Sequence, residues 1–175
     1  MVGWQLMALK SGEMAGLTVP PQAFEGVKKW LASVEGNKPV GGQFGYQSPT
    51  PTPAMTAQGL LCLQFLGVRR DDPRMKAGTD YLLQHLPRAD GDTSYYWYNA
   101  NQVMYHMQGK HWKAWNDKLR DLLVSAQVKE GTAAGSWKPA DSREKPGGRL
   151  YATALRLLML EVYYRHLPLY QQLDK

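Results

Sequence analysis

Apolar segments recur along this chain at intervals of about 40 to 55 residues, which lies within the range where helical repeats occur. There are four such segments, and each has the residue pattern of a helix. The first three end at Gly16, Gly67 and Gly109, which suit the left-handed conformation of a helix C-cap. The repeat predicts an array of similar helices, at residues 4–16, 55–67, 97–109 and 151–164.

A second series of segments lies between the first and is more amphipathic. Within it, apolar residues recur at spacings of three and four, while charged residues occupy the other side of the helix. Pro21 and Pro73 stand where the first turn of a helix tolerates proline, and Asp72 is a natural N-cap. These amphipathic helices are predicted at residues 21–34, 73–86 and 112–128.

The two series differ in where their helices fit within a fold. Residues 60–66 and 155–162 are mostly apolar, so helices of the first series are predicted to be buried nearly all round. The amphipathic helices are predicted to cover them from outside, which gives an all-α fold of tandem inner and outer helices. The long links 35–53, 87–95 and 129–148 run from outer to inner helices. They should emerge at one end of the array, where we expect any site.

Length and composition bound the class of protein. With 175 residues, 43% of them hydrophobic, the chain has the size of one domain with a sizeable core. It lacks the apolar run of roughly 18 residues that crosses a bilayer, and its first residues lack the basic segment of a signal peptide. The net charge of +6 is scattered among acidic residues, which argues against nucleic acid as a partner. The cellular compartment stays open.

Two of the long links contain a Gln, a glycine-rich turn and an aromatic residue before an inner helix. The pattern occurs in residues 41–46 (G-G-Q-F-G-Y), and again in Gln127 followed by residues 135–137 (G-S-W). Thr-Ala pairs occupy equivalent positions of two inner helices, at residues 56–57 and 153–154. Together with the helix alternation, these features resemble the terpene cyclase and prenyltransferase-like α/α-toroid superfamily over nearly the whole chain.

The resemblance implies that residues 1–175 form a single partial toroid domain of about three and a half helix pairs. A complete toroid of this kind has more pairs around a central cavity. The inner helices at the edge of a partial ring should therefore expose an apolar surface, which a partner would bury. We expect self-association, or pairing with the remainder of a longer toroid.

The catalytic residues of this superfamily are mostly missing. A class II cyclase donates a proton from a D-x-D-D-T-A segment, and residues 89–94 (A-D-G-D-T-S) keep only Asp92 of its three acids. Asp92 is alternatively a helix cap. Cys62 has neither the nearby acid of a prenyltransferase zinc site nor a G-C-G-E-Q thioester motif. We therefore expect no metal and no cofactor, and Cys62 is predicted to be a core residue.

Residues 95–106 (Y-Y-W-Y-N-A-N-Q-V-M-Y-H) differ from the other inner helices, because aromatic and amide side chains replace leucines. In a cyclase such rings would line the cavity and stabilise cations, and the amides would orient a ligand. Alternatively they are packing groups with local hydrogen bonds. The predicted ligand-binding residues are Tyr46, Asp92, Tyr96, Trp97, Asn101, Trp137 and Tyr151.

Two functions are consistent with this combination of fold and residues. The first is a non-catalytic toroid module, or pseudo-enzyme, that binds a protein partner, a peptide or an apolar ligand at the cavity mouth. The alternative is part of a squalene or terpene cyclase-like enzyme that acts on isoprenoids and has its catalytic acid outside this chain. The missing catalytic residues favour the first.

Overall fold

The chain folds mainly into helices, as the repeat predicts. The computed structural model describes residues 2–89, 94–140, 142 and 144–165, apart from the Arg165 side chain. Strand pairing in these residues is confined to β1 Glu35–Gly36 and β2 Gln43–Phe44, which are antiparallel. The all-α class is therefore confirmed. The helices are α1 Val2–Met14, α2 Pro21–Val34, α3 Pro53–Phe65, α4 Pro73–Leu83, α5 Ser94–Met107, α6 Gly109–Ala126, a 3₁₀ turn at Lys145–Gly147, α7 Gly148–Leu160 and α8 Val162–Arg165.

Glycine ends the first two inner helices in the way that the sequence indicates. Gly16 and Gly67 have φ angles of 78° and 83°, in the left-handed region. After α3, the Val68 N–H donates to the Leu63 carbonyl at 2.9 Å, and the Gly67 N–H donates to the Gln64 carbonyl at 3.0 Å. These two bonds satisfy carbonyls that the helix itself leaves without a partner.

Gly109 has the left-handed conformation predicted for it, with a φ of 59°, but the predicted end of the inner helix is wrong. α5 ends at Met107, Gln108 also has a positive φ of 58°, and Gly109 is the first residue of α6. The Trp112 N–H already donates to the Gln108 carbonyl at 3.4 Å, so α6 begins before the predicted residue 112. The link between these two helices is therefore a single residue.

The outer helices α2 and α4 begin as predicted. α2 has the predicted bounds Pro21–Val34, and Pro73 is the first residue of α4. Asp72 caps α4, because its Oδ1 accepts the Arg74 N–H at 2.8 Å. The same carboxylate pairs with the Arg74 guanidinium at 3.0 Å. The predicted cap is thus confirmed, although α4 ends at Leu83 rather than at residue 86.

The chain divides into two compact units, Met1–Leu82 and Leu83–Lys175. In the first unit, α3 packs against α1 and against β2. Its residues from Thr56 to Gln64 are all buried, so the predicted burial of an inner helix on nearly every side is confirmed for α3. Gly59 lets the Phe44 ring lie directly on this helix, because a Cβ atom at residue 59 would collide with that ring.

In the second unit, α5 packs against α6 and α7. Every residue of α5 except Tyr95 is buried. Near its end, Tyr105, Trp112 and Tyr163 meet edge to face, with ring centroids between 5.3 and 6.2 Å apart. Such pairs stabilise a core beyond the area that they bury. This cluster lies at the edge of the unit, since Tyr163 is 45% exposed, whereas Tyr96, Trp97 and Tyr98 of α5 are buried in its core.

α7 departs from the prediction for inner helices. Leu155 and Met159 are buried, whereas Leu150 and Leu157, on the opposite side, are 82% and 42% exposed. The predicted burial of this helix on nearly every side is therefore wrong. Its mostly apolar sequence remains partly open to solvent in the part of the chain that the structure describes.

Both units contain the same hydrogen bond between a long link and the helix that follows it. In the first unit the Phe44 N–H donates to Thr56 Oγ1 at 3.0 Å, and in the second the Trp137 N–H donates to Thr153 Oγ1 at 3.1 Å. We call this bond the threonine latch. The two Thr-Ala pairs singled out in the sequence thus have equivalent structural roles.

Each latch lies beside a short extended segment that returns to the end of the preceding outer helix. In the first unit the Gly45 N–H donates to the Val34 carbonyl at 3.0 Å. In the second, the Val128 N–H donates to the Ser136 carbonyl at 2.9 Å, and Gln127 Nε2 donates to a carbonyl of the glycine-rich turn at 3.0 Å. The Gln, glycine and aromatic pattern therefore marks a defined connection.

Two glycines inside helices should respond oppositely to replacement by alanine. Gly59→Ala should lower the free energy of unfolding by about 1 to 3 kcal/mol, because the added methyl group meets the Phe44 ring. Gly26→Ala, on α2, meets no atom within 4 Å and should raise it by about 0.5 to 1 kcal/mol. Urea denaturation followed by circular dichroism measures both, and a stabilising Gly59→Ala would contradict the packing of Phe44.

Candidate functional site

Tyr96 and Trp97 of α5 lie in the core of the second unit, where they are 1% and 3% exposed. The Tyr96 hydroxyl donates to the His85 carbonyl at 2.8 Å, and its ring meets Trp115 edge-on. The Trp97 indole N–H has no hydrogen-bond partner among the described residues. Both rings are packing groups in this structure, and their contact with a ligand stays a prediction.

Asn101 and Trp137 are buried as well, and each binds a backbone carbonyl. Asn101 Nδ2 donates to the Met159 carbonyl at 2.9 Å, and the Trp137 indole N–H donates to the Leu123 carbonyl at 2.8 Å. Buried polar side chains are usually satisfied in this way. The first bond joins α5 to α7, and the second joins the link before α7 to α6.

The other three predicted ligand-binding residues lie elsewhere. Tyr46 follows β2 in the first unit and is 64% exposed. Tyr151, on α7, is half-buried. Asp92 lies outside the described residues. Of the seven residues, the structure brings Tyr96, Trp97, Asn101 and Trp137 into one packed core, while Tyr46 and Tyr151 reach the surface.

A buried ion pair in the second unit was not anticipated from the sequence. Glu144 and Arg156 are 1% and 4% exposed, and Glu144 Oε2 lies 3.1 Å from Arg156 Nη2. Glu144 also accepts the backbone N–H groups of Ser94 and Ala140, each at 2.7 Å. It thereby anchors the start of α5 and the link before α7. An arginine within a mostly apolar helix was the available signal, since a buried cation needs an acidic partner.

The surroundings of Glu144 determine what this carboxyl can do. Burial favours its neutral form, but the hydrogen bonds from Ser94 and Ala140 and the charge of Arg156 outweigh burial and lower the pKa of Glu144. A carboxyl that donates a proton in catalysis needs a raised pKa instead. Glu144 therefore acts as a structural anchor through these contacts, and its lowered pKa does not suit it to donate a proton.

Cys62 lies inside the first unit, and burial raises the pKa of its thiol to about 12. The thiolate is the form that attacks substrates and binds metals, so this thiol is unsuited to either role. The prediction that Cys62 is a core residue is confirmed. Among the described residues, no group of three or more His, Cys, Asp or Glu side chains is placed to hold a metal ion.

An open groove of about 540 Å³ lies between α1 and α2 in the first unit. Its volume falls within the range of ligand sites in proteins. We call this surface the α1/α2 groove. Its walls are largely apolar or small side chains, and they include Gln5, Ala8 and Leu9 of α1 and Ala23, Gly26 and Trp30 of α2.

Small residues shape the α1/α2 groove. Ala8, Ala23 and Gly26 leave space where longer side chains would project, and a Cβ atom at Gly26 would meet no other atom within 4 Å. On each helix the wall extends over about two turns, or roughly 10 Å. The sequence predicts that the apolar side of α2 packs against other helices, and no feature of these small residues distinguishes a core position from an open one.

The charges beside the α1/α2 groove are mostly paired within their own helix. Lys10 binds Glu13 at 2.6 Å, and Lys28 binds Glu25 at 2.8 Å. Lys29 is exposed and forms no ion pair with the residues that the structure describes. Lys29 is three positions after the wall residue Gly26, so it is a neighbour of Gly26 on the surface of α2 and flanks the groove with a positive charge.

The exposed side of α7 forms a second apolar surface. Leu150, Ala154 and Leu157 are all exposed and are spaced four and three residues apart, so they lie on one side of the helix. Glu161 follows four residues later, is exposed, and forms no ion pair with a side chain that the structure describes. We call these four residues the α7 stripe.

No protein-family model, curated protein or solved structure matches this chain. The resemblance to the α/α-toroid superfamily therefore remains an expectation from the residues. Within the described residues, no helix is both long enough and apolar enough to cross a membrane. The candidate site is accordingly assigned on geometry, and among the described residues the α1/α2 groove has the volume and shape to receive a partner.

The substitution Glu144→Gln should lower the free energy of unfolding by about 3 kcal/mol at pH 7, because Arg156 is left buried without its counter-charge. The pKa of Glu144 is lowered in the folded state, so its stabilising effect is complete above the ordinary Glu pKa and is lost as pH falls through the folded-state value. The difference between variant and wild type in urea denaturation should therefore shrink in acid. Glu130→Gln, an exposed control, should change little at either pH.

The Cys62 thiol should react with Ellman's reagent at pH 8 about a thousandfold more slowly in the native protein than in guanidinium, because both its raised pKa and its burial suppress attack. The absorbance of the released thionitrobenzoate measures this rate. One equivalent should be released after unfolding, since the chain has one cysteine. Rapid reaction of the native protein would show that Cys62 is accessible.

Proposed function

We propose that this protein is a non-catalytic binding module of the α/α-toroid type, and that it holds an amphipathic helix of a partner protein in the α1/α2 groove. The open, apolar and small-walled shape of this groove is the observation that carries the proposal. The repeated threonine latch supports the toroid type, because it recurs where the sequence pattern that resembles that superfamily recurs.

A helix is the partner element that this groove fits best. Side chains of one helix pack into the grooves formed by others, and helix-binding grooves accept apolar residues at spacings of three, four and seven. The walls of the groove extend for roughly 10 Å, which matches the span from the first to the last of such residues. Ala8, Ala23 and Gly26 allow the partner backbone to come close.

Charge narrows the chemistry of the partner helix. Lys29 leaves a positive charge at one edge of the groove. Complementary charges across an interface set the orientation of partners and speed their encounter. The partner helix should therefore carry a carboxylate beside its apolar residues.

Two buried ionisable groups of this chain, Glu144 and Cys62, lack the properties of catalytic groups. A cyclase-like reaction needs a carboxylic acid that stays protonated, and the pKa of Glu144 is lowered instead. A thiol nucleophile needs a lowered pKa, and that of Cys62 is raised to about 12. The cyclase-like alternative places its acid outside this chain, so an assay for a cyclic product has to decide against it.

The proposal can be tested with a fluorescein-labelled helical peptide that carries Leu, Ala and Leu at positions i, i+4 and i+7, followed by Glu at i+11. Fluorescence anisotropy should show binding with a dissociation constant on the order of 10 μM, typical of a small apolar contact. Gly26→Arg should abolish binding, because the new side chain enters the groove without meeting atoms of the fold.

Two controls decide the outcome. A peptide with the same residues in scrambled order should bind at least about tenfold more weakly, and Val124→Arg, which alters an exposed apolar residue on α6, should leave binding unchanged. Equal binding of both peptides, or binding that survives Gly26→Arg, would contradict the proposed groove. Formation of a cyclic product from a linear isoprenoid would contradict the non-catalytic assignment.

A further inference from the structure

We infer that the helix held in the α1/α2 groove is α7 of a second copy of this chain, so that copies associate through two different surfaces. The inference rests on the proposed function and names the partner. It starts from the α7 stripe, in which Leu150 and Leu157 are 82% and 42% exposed although the same helix buries Leu155 and Met159 on its other side. One helix thus presents an apolar side to its own unit and another to solvent.

The spacing of the α7 stripe suits the groove. Leu150, Ala154 and Leu157 extend over seven positions, or about 10 Å of helix, which equals the length of the groove walls. Ala154, between the two leucines, lets the α7 backbone approach Ala23 and Gly26 closely. The leucines would then fill the space that these small residues leave.

The charges of the two surfaces are complementary. Glu161 continues the α7 stripe beyond Leu157, and Lys29, three positions after Gly26 on α2, flanks the groove near its Trp30 end. Both side chains are exposed, and neither forms an ion pair with a described side chain. With α7 in the groove and Leu157 at its Trp30 end, Glu161 approaches Lys29. An ion pair at the edge of a contact contributes mainly to orientation.

The contact is heterologous, because each copy offers a groove and also a stripe. A single helix in a groove buries less than the roughly 1,200 Å² of a stable complex, so we expect dissociation constants in the micromolar range. The groove and the α7 stripe of one copy contact two different neighbouring copies. Blocking one of these surfaces therefore leaves the other able to bind. This property gives a direct test.

The test uses two full-length variants, each with one blocked surface. Gly26→Arg fills the groove, and Leu150→Arg places a charge on the α7 stripe at a position that is 82% exposed. Sedimentation velocity between about 5 and 200 μM should show self-association of the wild type and of Val124→Arg, but a monomer for each blocked variant. An equimolar mixture of the two blocked variants should form a heterodimer, because one groove and one stripe remain intact.

Charge reversal gives a second readout that does not depend on blocking. Lys29→Glu and Glu161→Lys should each weaken self-association about threefold or more, and the double variant should recover most of the loss. Circular dichroism should show the same helix content in every variant, since all altered positions are exposed.

A monomeric wild type over the whole concentration range, or no heterodimer in the mixture, would overturn the inference. Recovery that fails in the double charge variant would overturn the pairing of Glu161 with Lys29. The Leu150→Arg variant keeps an intact groove and should still bind the labelled peptide. If it binds the peptide while the wild type stays monomeric, the proposed function stands and only the self-association fails.

Discussion

A backbone N–H group in the link before an inner helix has to find an acceptor, and in both units a threonine hydroxyl provides it. Because the donor belongs to an aromatic residue, the same bond fixes where a large ring enters the core. Phe44 then lies over Gly59, and the Trp137 indole reaches the Leu123 carbonyl. The latch therefore sets both the course of a long link and the packing of the helices on either side of it.

The helices could be predicted from the sequence because local rules determine them. Apolar spacing gave the bounds of α2, and Gly16, Gly67 and Asp72 have the conformations or bonds that their types favour. Gly109 has the left-handed φ that its type favours, but α5 already ends at Met107, because Gln108 has a positive φ as well. The turn at Gln108 depends on how α5 packs with α6, which one segment of sequence does not contain.

The candidate site was harder to predict, because exposure depends on neighbours that are distant in sequence. The aromatic and amide residues of α5 have the chemistry of a ligand site, yet Tyr96, Trp97 and Asn101 are buried. The walls of the α1/α2 groove include Ala8 and Gly26, and these residue types do not by themselves indicate a binding site. A groove that small side chains leave open can be recognised only once the relative positions of α1 and α2 are known.

The small residues of the α1/α2 groove also affect the entropy of binding. Alanine and glycine have no side-chain rotamers to lose, so ordering these wall positions around a partner costs almost nothing. The entropic cost of association then falls mainly on the incoming helix and its longer side chains. A partner helix that is already folded against its own core, as α7 is, has lost this conformational freedom before it binds. The groove is thus suited to prefer rigid helices over flexible peptides of the same composition.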